Sequence, residues 1–298
     1  MDPVPGAALQ VFEIGPISTA VPSQASSDEE MVERWLNSFR SPATRRGYAA
    51  DMREFIAFVG TPLRMVTVGD VQAFGATLTN LAPATAARRL SAVKSLIALA
   101  HRLGYLPFDI GVPVPLPAIK DTLAERILTE WEVQRLLGLE ENPRDAALLR
   151  LVYGAGLRIS EACGLRWRDL TPRDDAGQVN VFGKGGKTRV VLLPAPLWKR
   201  VTALRMDAGP DGAVFRSRKN GALKARQVHD IVKRAAKRAG LPETVSCHWL
   251  RHAHVSHALD RGAPVHVVRA TVGHASLETT TRYSHARPGD SSARYLPE

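Results

Sequence analysis

The stretch HWLRH at residues 248–252 opens a segment that continues through VGH to Thr281-Arg282-Tyr283. A spacing of three residues places His248 and Arg251 on one face of a helix, where they can hold two oxygens of one phosphate. His274 and Tyr283 follow in order. A tyrosine hydroxyl has a pKa of about 10 and is a poor nucleophile at neutral pH, and attack on a phosphodiester adds negative charge to its oxygens. Cations ordered ahead of one tyrosine therefore indicate phosphodiester chemistry.

Two further cations lie upstream, Arg158 in GLRISE and Lys184 in GKGGK. Glu161 lies three residues beyond Arg158 and can orient its guanidinium, although an ordinary surface ion pair has the same spacing. A lysine in a tight turn can protonate a leaving 5′ oxygen. Lys187 and Arg189 make simple phosphate contact the alternative explanation for this turn. Together, these residues predict that a DNA strand is cut and rejoined through a phosphotyrosine.

A metal site is the main alternative for the histidine-rich segment, because His248 and His252 are one helical turn apart. The zinc motif His-Glu-x-x-His needs a glutamate where this chain has Trp249. Zinc sites also usually use three or four protein ligands. We therefore predict no metal and no other cofactor.

Tyr283 differs from the other tyrosines in its neighbours. The threonine run at 279–281 is a poor helix interior and predicts a helix boundary that presents Tyr283 flexibly. A lone tyrosine more often packs with a satisfied hydroxyl, and Tyr48, Tyr105 and Tyr153 are interpreted in that way.

Charge is distributed unevenly along the 298 residues. Residues 1–115 hold ten basic and ten acidic side chains, so residues 116–298 carry the whole net charge of +11. Between Arg216 and Arg238, nine basic side chains stand against Asp230 alone. Because neutralised phosphates release condensed counterions, this basic stretch favours a nucleic-acid partner, with a solvated basic surface as the alternative.

The compartment follows from cysteine usage and from the apolar runs. Cys163 and Cys247 are too few for a disulfide framework. No apolar run approaches the roughly 18 residues that span a membrane, and the first ten residues lack the basic start of a secretory signal. We expect a cytoplasmic, nucleoid-associated protein with no membrane partner.

The apolar pattern predicts a mainly α-helical chain with a small β-sheet or hairpin in its second half. The β-rich segments Gln178–Phe182 and Thr188–Leu193 flank a glycine turn, as in a hairpin. Alternating prolines predict a stiff linker between two domains. The expected boundaries are a flexible tail at 1–26, a helical domain at 27–111, the proline-rich linker at 112–118 and a second domain with its C-terminal tail at 119–298.

Together, these segments resemble the tyrosine recombinases, the phage-integrase and Xer family, over roughly residues 27–285. GLRISE matches the family's first arginine, GKGGK its hairpin lysine and HWLR its H-x-x-R box. VGH matches the usual LGH, so Val272 is a mild departure. SPATRRGY and PATAARRLSAVKSL resemble helices of the family's core-binding domain. The resemblance implies that 27–111 is a core-binding (SAM-like) domain, that 119–298 is the catalytic domain, and that the two clamp DNA.

The resemblance also implies a mechanism without metal or nucleotide. Tyr283 attacks the scissile phosphate to form a 3′-phosphotyrosyl link, and Lys184 acts as general acid. Arg158, Arg251 and His248 stabilise the transition state, with His274 and Glu161 in support. Family members work as tetramers on two double-stranded sites with short inverted repeats. The residues expected to contact DNA are Thr44, Arg45, Arg46, Arg88, Arg89, Lys94, Lys187, Lys224, Arg226, Lys233 and Arg234.

Residues 1–26 are too short and have too few charges for the arm-binding domain of larger integrases, which favours a simple Xer-like or Cre-like organisation. Residues 286–298 are expected to contact a neighbouring subunit, while accessory proteins stay open. Two other functions are considered, DNA relaxation of the type IB topoisomerase kind and a catalytically silent DNA-binding protein. The GLRISE and HWLR contexts favour a recombinase over a topoisomerase. Retention of all six catalytic residue types argues against a silent protein.

Overall fold

A computed structural model describes residues 23–183, 186 and 188–285. The chain divides into two compact units, Met1–Lys120 and Asp121–Glu298. The described residues are mostly helical, and the second unit contains a three-stranded antiparallel sheet. The fold class predicted from the sequence is confirmed.

The N-terminal unit is a bundle of helices around a core that includes Trp35, Phe55 and Phe74. Ser41 caps one helix by accepting a hydrogen bond from the backbone N–H of Thr44, and a proline follows at the first helical position, where its missing N–H costs nothing. The helices are α1 (Asp28–Asn37), α2 (Pro42–Val59), α3 (Val68–Thr77) and α4 (Pro83–Arg102).

The ends of the predicted tail and linker contact this unit. Ala25 is buried in its core, and the backbone N–H of Gln24 donates to Leu103 O at 3.0 Å. Val114 is buried in the same core, and its carbonyl accepts a hydrogen bond from Lys94. Residues 1–22 of the predicted tail lie outside the described residues.

The C-terminal unit is built around a larger apolar core to which α6 (Pro143–Gly154) contributes the buried Leu148, Leu149, Leu151 and Val152. Helix α10 (Cys247–Asp260) contacts α6, α11 (Val265–Val272) and α12 (Glu278–His285). The elements are α5 (Glu130–Gly138), α6 (Pro143–Gly154), α7 (Ile159–Gly164), β1 (Leu170–Arg173), β2 (Ala176–Phe182), β3 (Thr188–Leu193), α8 (Ala195–Thr202), α9 (Ala225–Arg238), α10 (Cys247–Asp260), α11 (Val265–Val272) and α12 (Glu278–His285).

The predicted hairpin is part of a sheet in the order β1-β2-β3. Val179 lies opposite Leu170 on one side and Val191 on the other, and all three are buried. The sequence reasoning missed β1, because four residues that include Pro172 carry little strand signal of their own. None of the helices in the described ranges is both long and apolar enough to cross a membrane.

Candidate active site

An open pocket of about 250 Å³ in the C-terminal unit is lined by five of the six predicted catalytic residues, Arg158, His248, Arg251, His274 and Tyr283. The pocket is also lined by His252 and Arg282. The sixth predicted residue, Lys184, and the neighbouring Lys187 lie outside the described residues.

Helix α10 supplies three of these side chains because of its periodicity. His248, Arg251 and His252 line the pocket, while Leu250 and Ala253 between and after them are fully buried in the core. One helix therefore holds the pocket residues against a rigid apolar support.

Arg158 is held by Glu161 and by a backbone carbonyl. Its guanidinium donates to Glu161 Oε1 at 2.9 Å and to Gly273 O at 3.1 Å. Glu161 also accepts two hydrogen bonds from Arg189, at 2.9 and 2.8 Å. Arg189 in turn donates to Thr271 O at 2.6 Å. One buried carboxylate thus orients two arginines, and the arginines connect it to the end of α11.

The charge state of Glu161 follows from these contacts. Burial would raise the pKa of its carboxyl, but the hydrogen bonds from Arg189 and from the Arg158 backbone outweigh burial and lower the pKa to about 2. Glu161 is therefore ionised at neutral pH and balances part of the positive charge of the pocket.

Arg251 is buried and is fixed by two carbonyl groups. It donates to Gly156 O and, at 2.6 Å, to Val272 O. Burial, and then the neighbouring Arg158, lower the pKa of Arg251 to about 10. The side chain remains cationic at neutral pH, so a phosphate entering the pocket would meet a fixed, partly desolvated charge.

The pocket histidines are uncharged at neutral pH. Burial, followed by the nearby arginines, lowers the pKa of His248 and brings the pKa of His274 to about 4. His274 Nδ1 shares a hydrogen bond of 2.9 Å with Thr280 Oγ1. A neutral imidazole can donate from one nitrogen and accept at the other, so each ring can hold an oxygen without adding charge.

Tyr283 lies inside a helix and not at a flexible boundary. Helix α12 includes the threonine run 279–281, and the tyrosine side chain is only 4% exposed. The expectation of flexible presentation is wrong for the described residues, because Tyr283 packs with Val255, Val268 and Val272 in a small apolar cluster. Burial raises the pKa of the tyrosine hydroxyl.

The Tyr283 hydroxyl is hydrogen-bonded to His252 Nδ1 at 2.5 Å. The ring of His274 stacks on the tyrosine ring at a centroid distance of 6.2 Å. Arg282, the residue before Tyr283, pairs with Asp121 at 2.8 Å. The hydroxyl therefore has a defined partner and a defined direction within the pocket.

His252 and Arg189 were not predicted as catalytic or supporting residues. His252 was considered only as a metal ligand, and Arg189 only as a simple phosphate contact near the lysine turn. The spacing of four between His248 and His252 was the available signal for a shared helix face. The contact between Arg189 and Glu161 spans 28 residues and leaves no local pattern. Within the described ranges, no group of three or more His, Cys, Asp or Glu side chains could hold a metal ion.

Four of the predicted DNA contacts of the C-terminal unit form an exposed basic face at the start of and along α9. Lys224 precedes the helix, and Arg226, Lys233 and Arg234 are exposed on it, while Val228 and four other residues of the helix are buried. Several of these cations have intramolecular partners: Arg226 contacts Asp230 at 3.3 Å, Lys233 contacts Glu243 O, and Arg234 lies 3.8 Å from Asp145. Lys224 and Arg234 also line an open cavity of about 1150 Å³.

In the N-terminal unit, the predicted DNA contacts lie on α2 and α4. The buried Asp51 on α2 accepts hydrogen bonds from Arg88 on α4, and Glu54 accepts from Arg89 at 2.5 Å. Lys94 donates a hydrogen bond to Val114 O. Of the predicted residues on α2, Thr44 and Arg45 are half-buried and Arg46 is exposed.

Comparisons with known proteins agree with this architecture. The model described as "Phage integrase family" matches residues 126–289, and "Phage integrase, N-terminal SAM-like domain" matches residues 33–104. A tyrosine recombinase XerC from Nitrobacter winogradskyi is 31% identical over 301 residues, with 88% of this chain and 91% of the relative covered. A XerC from Mesorhizobium japonicum is 32% identical over 294 residues, with 89% and 92% covered.

Solved structures share the fold at low identity. The XerH recombinase bound to palindromic difH substrate, in a post-cleavage complex, has a TM-score of 0.71 at 20% identity and covers 91% of this chain and 85% of that chain. A lambda integrase tetramer bound to a Holliday junction has a TM-score of 0.72 at 15% identity and covers 90% and 80%.

These matches define the class of protein as a tyrosine recombinase, a DNA strand transferase. The chain belongs to the phage integrase family and is similar to XerC proteins over most of its length. The family and the enzyme class predicted from the sequence are confirmed.

Proposed function

We propose that this protein is a site-specific DNA recombinase whose nucleophile is Tyr283. The observation that carries the proposal is the pocket in which Tyr283 meets three arginines and three neutral histidines. Attack of Oη on the scissile phosphorus forms a 3′-phosphotyrosyl link and releases a 5′ hydroxyl. Attack by a 5′ hydroxyl from a second strand reverses the step, so that no external energy source is needed.

The roles of the other residues follow from charge and contacts. Arg158 and Arg251 are held by fixed acceptors and supply positive charge to the non-bridging oxygens. His248 and His274 supply neutral hydrogen-bond donors beside them. Lys184 is assigned as the general acid that protonates the leaving 5′ oxygen, an assignment that rests on the family resemblance.

The proposed substrate is a pair of double-stranded sites with short inverted repeats, brought together by a tetramer. The DNA contacts are assigned to the exposed basic face of α9 and to the basic residues of α2 and α4. The XerH recombinase bound to difH substrate and the lambda integrase tetramer bound to a Holliday junction share the fold and support DNA as the partner. Residues 286–298 lie outside the described residues. We propose that they contact a neighbouring subunit of the tetramer.

The experiment uses supercoiled plasmids that carry one or two copies of the DNA flanking this gene. Wild-type protein and Tyr283→Phe are incubated with each plasmid without divalent metal. We expect recombinant products only from wild type and only with two sites. Relaxation of the one-site plasmid without recombinants from the two-site plasmid would favour the topoisomerase alternative. Binding without any strand breakage would favour the silent DNA-binding protein.

A further inference from the structure

The hydroxyl of Tyr283 is hydrogen-bonded to His252, which has no role in the mechanism proposed for this site. His252 Nδ1 lies 2.5 Å from Tyr283 Oη, and the two ring centroids are 5.7 Å apart. His252 is one turn beyond His248 on α10, with a centroid distance of 5.9 Å between the two rings. The nitrogen nearest to the nucleophile therefore belongs to His252.

Burial and the groups around His252 keep its ring neutral. His248 and Arg251 face it from its own helix, Arg126 from the 3-10 turn Ala124–Arg126, and Arg282 from α12. Burial, and then these neighbours, lower the pKa of His252 to about 4. A neutral ring with its proton on Nε2 presents Nδ1 as an acceptor for the hydroxyl proton, and an entering phosphate anion would raise the ring's affinity for that proton.

The other two pocket histidines are less well placed for this task. His274 Nδ1 is hydrogen-bonded to Thr280 Oγ1. The His274 ring is stacked on the Tyr283 ring at an interplanar angle of 17°. A stacked ring does not direct a nitrogen lone pair at a hydroxyl in the plane of its neighbour. His248 contacts the His252 ring, which lies nearer to the tyrosine hydroxyl.

We propose that His252 is a further catalytic residue, which accepts the Tyr283 proton at Nδ1 during attack on DNA. This rests on the proposed function of Tyr283. The Oη–H proton moves to Nδ1, the Oη–P bond forms and the P–O5′ bond breaks, while the leaving O5′ takes a proton from the separate general acid. In the rejoining step, His252 returns its proton to Oη as the Oη–P bond breaks.

The test separates proton removal from the attacking Tyr283 hydroxyl from protonation of the leaving 5′ oxygen. A nicked duplex carries the site at which wild-type protein forms its covalent adduct, with either an ordinary or a 5′-bridging phosphorothiolate linkage at the scissile position. A thiolate leaves without a proton, so the modified linkage removes the need for the general acid but not for a base at Tyr283. The variants are His252→Asn and His252→Gln, which keep hydrogen-bonding capacity but cannot take up a proton. The control is His266→Asn, an exposed histidine on α11 that does not line the pocket.

We expect both His252 variants to retain DNA affinity and to lose about 100-fold in single-turnover adduct formation with both linkages. The His266→Asn rate should stay within about threefold of wild type. Nitrogen-15 spectra of histidine-labelled protein should show His252 with an unprotonated Nδ1 that shifts in Tyr283→Phe, which checks the contact without DNA cleavage.

Wild-type rates in the His252 variants would overturn the proposal. A defect that the phosphorothiolate repairs would also overturn it, because His252 would then act on the leaving oxygen. If wild-type protein forms no adduct on the DNA that flanks its gene, and so provides no site for the nicked duplex, the proposed function itself is contradicted and the role of His252 falls with it.

Discussion

Glu161 is the residue on which the positions of two arginines depend. Its carboxylate accepts from Arg158 and Arg189, and only 3% of its side chain is exposed. Removing one partner of a buried charge network leaves the others unpaired, which costs more than loss of a surface pair. At the residue scale, the positions of the pocket arginine Arg158 and of Arg189 therefore depend on a side chain that takes no part in the reaction.

Glu161→Gln should lower both stability and activity. The neutral amide keeps the shape but loses the charge that holds two guanidinium groups, so we expect a loss of about 2–3 kcal/mol in the free energy of unfolding. We also expect about a tenfold or larger fall in the rate of covalent adduct formation. Chemical denaturation and single-turnover assays measure the two effects. The exposed Glu141→Gln is the control, and equal behaviour of the two variants would contradict the prediction.

Glu161 also predicts a pH dependence of stability. Its pKa is lowered on folding from 4.5 to about 2. A lowered carboxyl pKa contributes stability that is fully present above pH 4.5 and is lost as the pH falls toward 2. Wild type should therefore lose its stability advantage over Glu161→Gln across this interval, as measured by denaturation at pH 6, 4 and 3. An unchanging difference between the two proteins would contradict the prediction.

At the scale of elements, the pocket depends on close approach between the α6–α7 connection and α10 and α11. Gly156 has a φ of +58°, and its carbonyl accepts from Arg251. A Cβ atom added at this position would lie 2.7 Å from Val272 Cγ1 and 2.9 Å from a ring carbon of His254. Glycine is required here both for its backbone conformation and for the space it leaves.

Gly156→Ala should cost more stability than the same change at Gly262. Gly262 also has a positive φ, +81°, but a Cβ there meets nothing within 4 Å. We expect about 1–2 kcal/mol from the backbone conformation in both variants and about 1–3 kcal/mol more from crowding at Gly156. Denaturation curves of the two variants measure the difference. Equal losses would show that the close approach at Gly156 is absent.

Helices α2 and α4 should be coupled through Asp51. Asp51 is buried and paired with Arg88, whereas the side chain of Glu54 is 48% exposed in its pair with Arg89. We therefore expect Asp51→Asn to destabilise the protein by about 1–3 kcal/mol, because the buried carboxylate that accepts from Arg88 is lost, and Glu54→Gln by less than about 1 kcal/mol. Thermal unfolding of both variants tests this order. The reverse order would contradict the packing described for α2 and α4.

At the scale of the whole molecule, the sequence predicted more of the fold than of the site's internal contacts. Long helices such as α4 and the hairpin strands β2 and β3 were predictable, because periodicity and capping are local signals. The order of Arg158, the H-x-x-R box and Tyr283 identified the family. The contacts of Arg189 and His252 were not predictable, because they join residues 28 and 31 positions apart. Burial of Tyr283 also overrode the weak helix propensity of three threonines.

The salt dependence of DNA affinity tests whether the basic face of α9 contacts phosphates. Lys224 is exposed at the start of the basic face of α9. If it contacts one phosphate, Lys224→Gln should reduce the slope of log affinity against log salt by about 0.9. Affinities for a 30-base-pair duplex of arbitrary sequence, measured at several salt concentrations, give this slope. Lys199→Gln on α8 is the control, and equal slopes for both variants would exclude the contact.

The central claim is that Tyr283 becomes covalently attached to DNA. The most direct measurement is mass spectrometry of the adduct after nuclease and protease digestion. The account predicts a 3′-nucleotide on the peptide that contains Tyr283, and no adduct from Tyr283→Phe. A nucleotide on Tyr295 or on any other residue, or equal adduct from Tyr283→Phe, would contradict it.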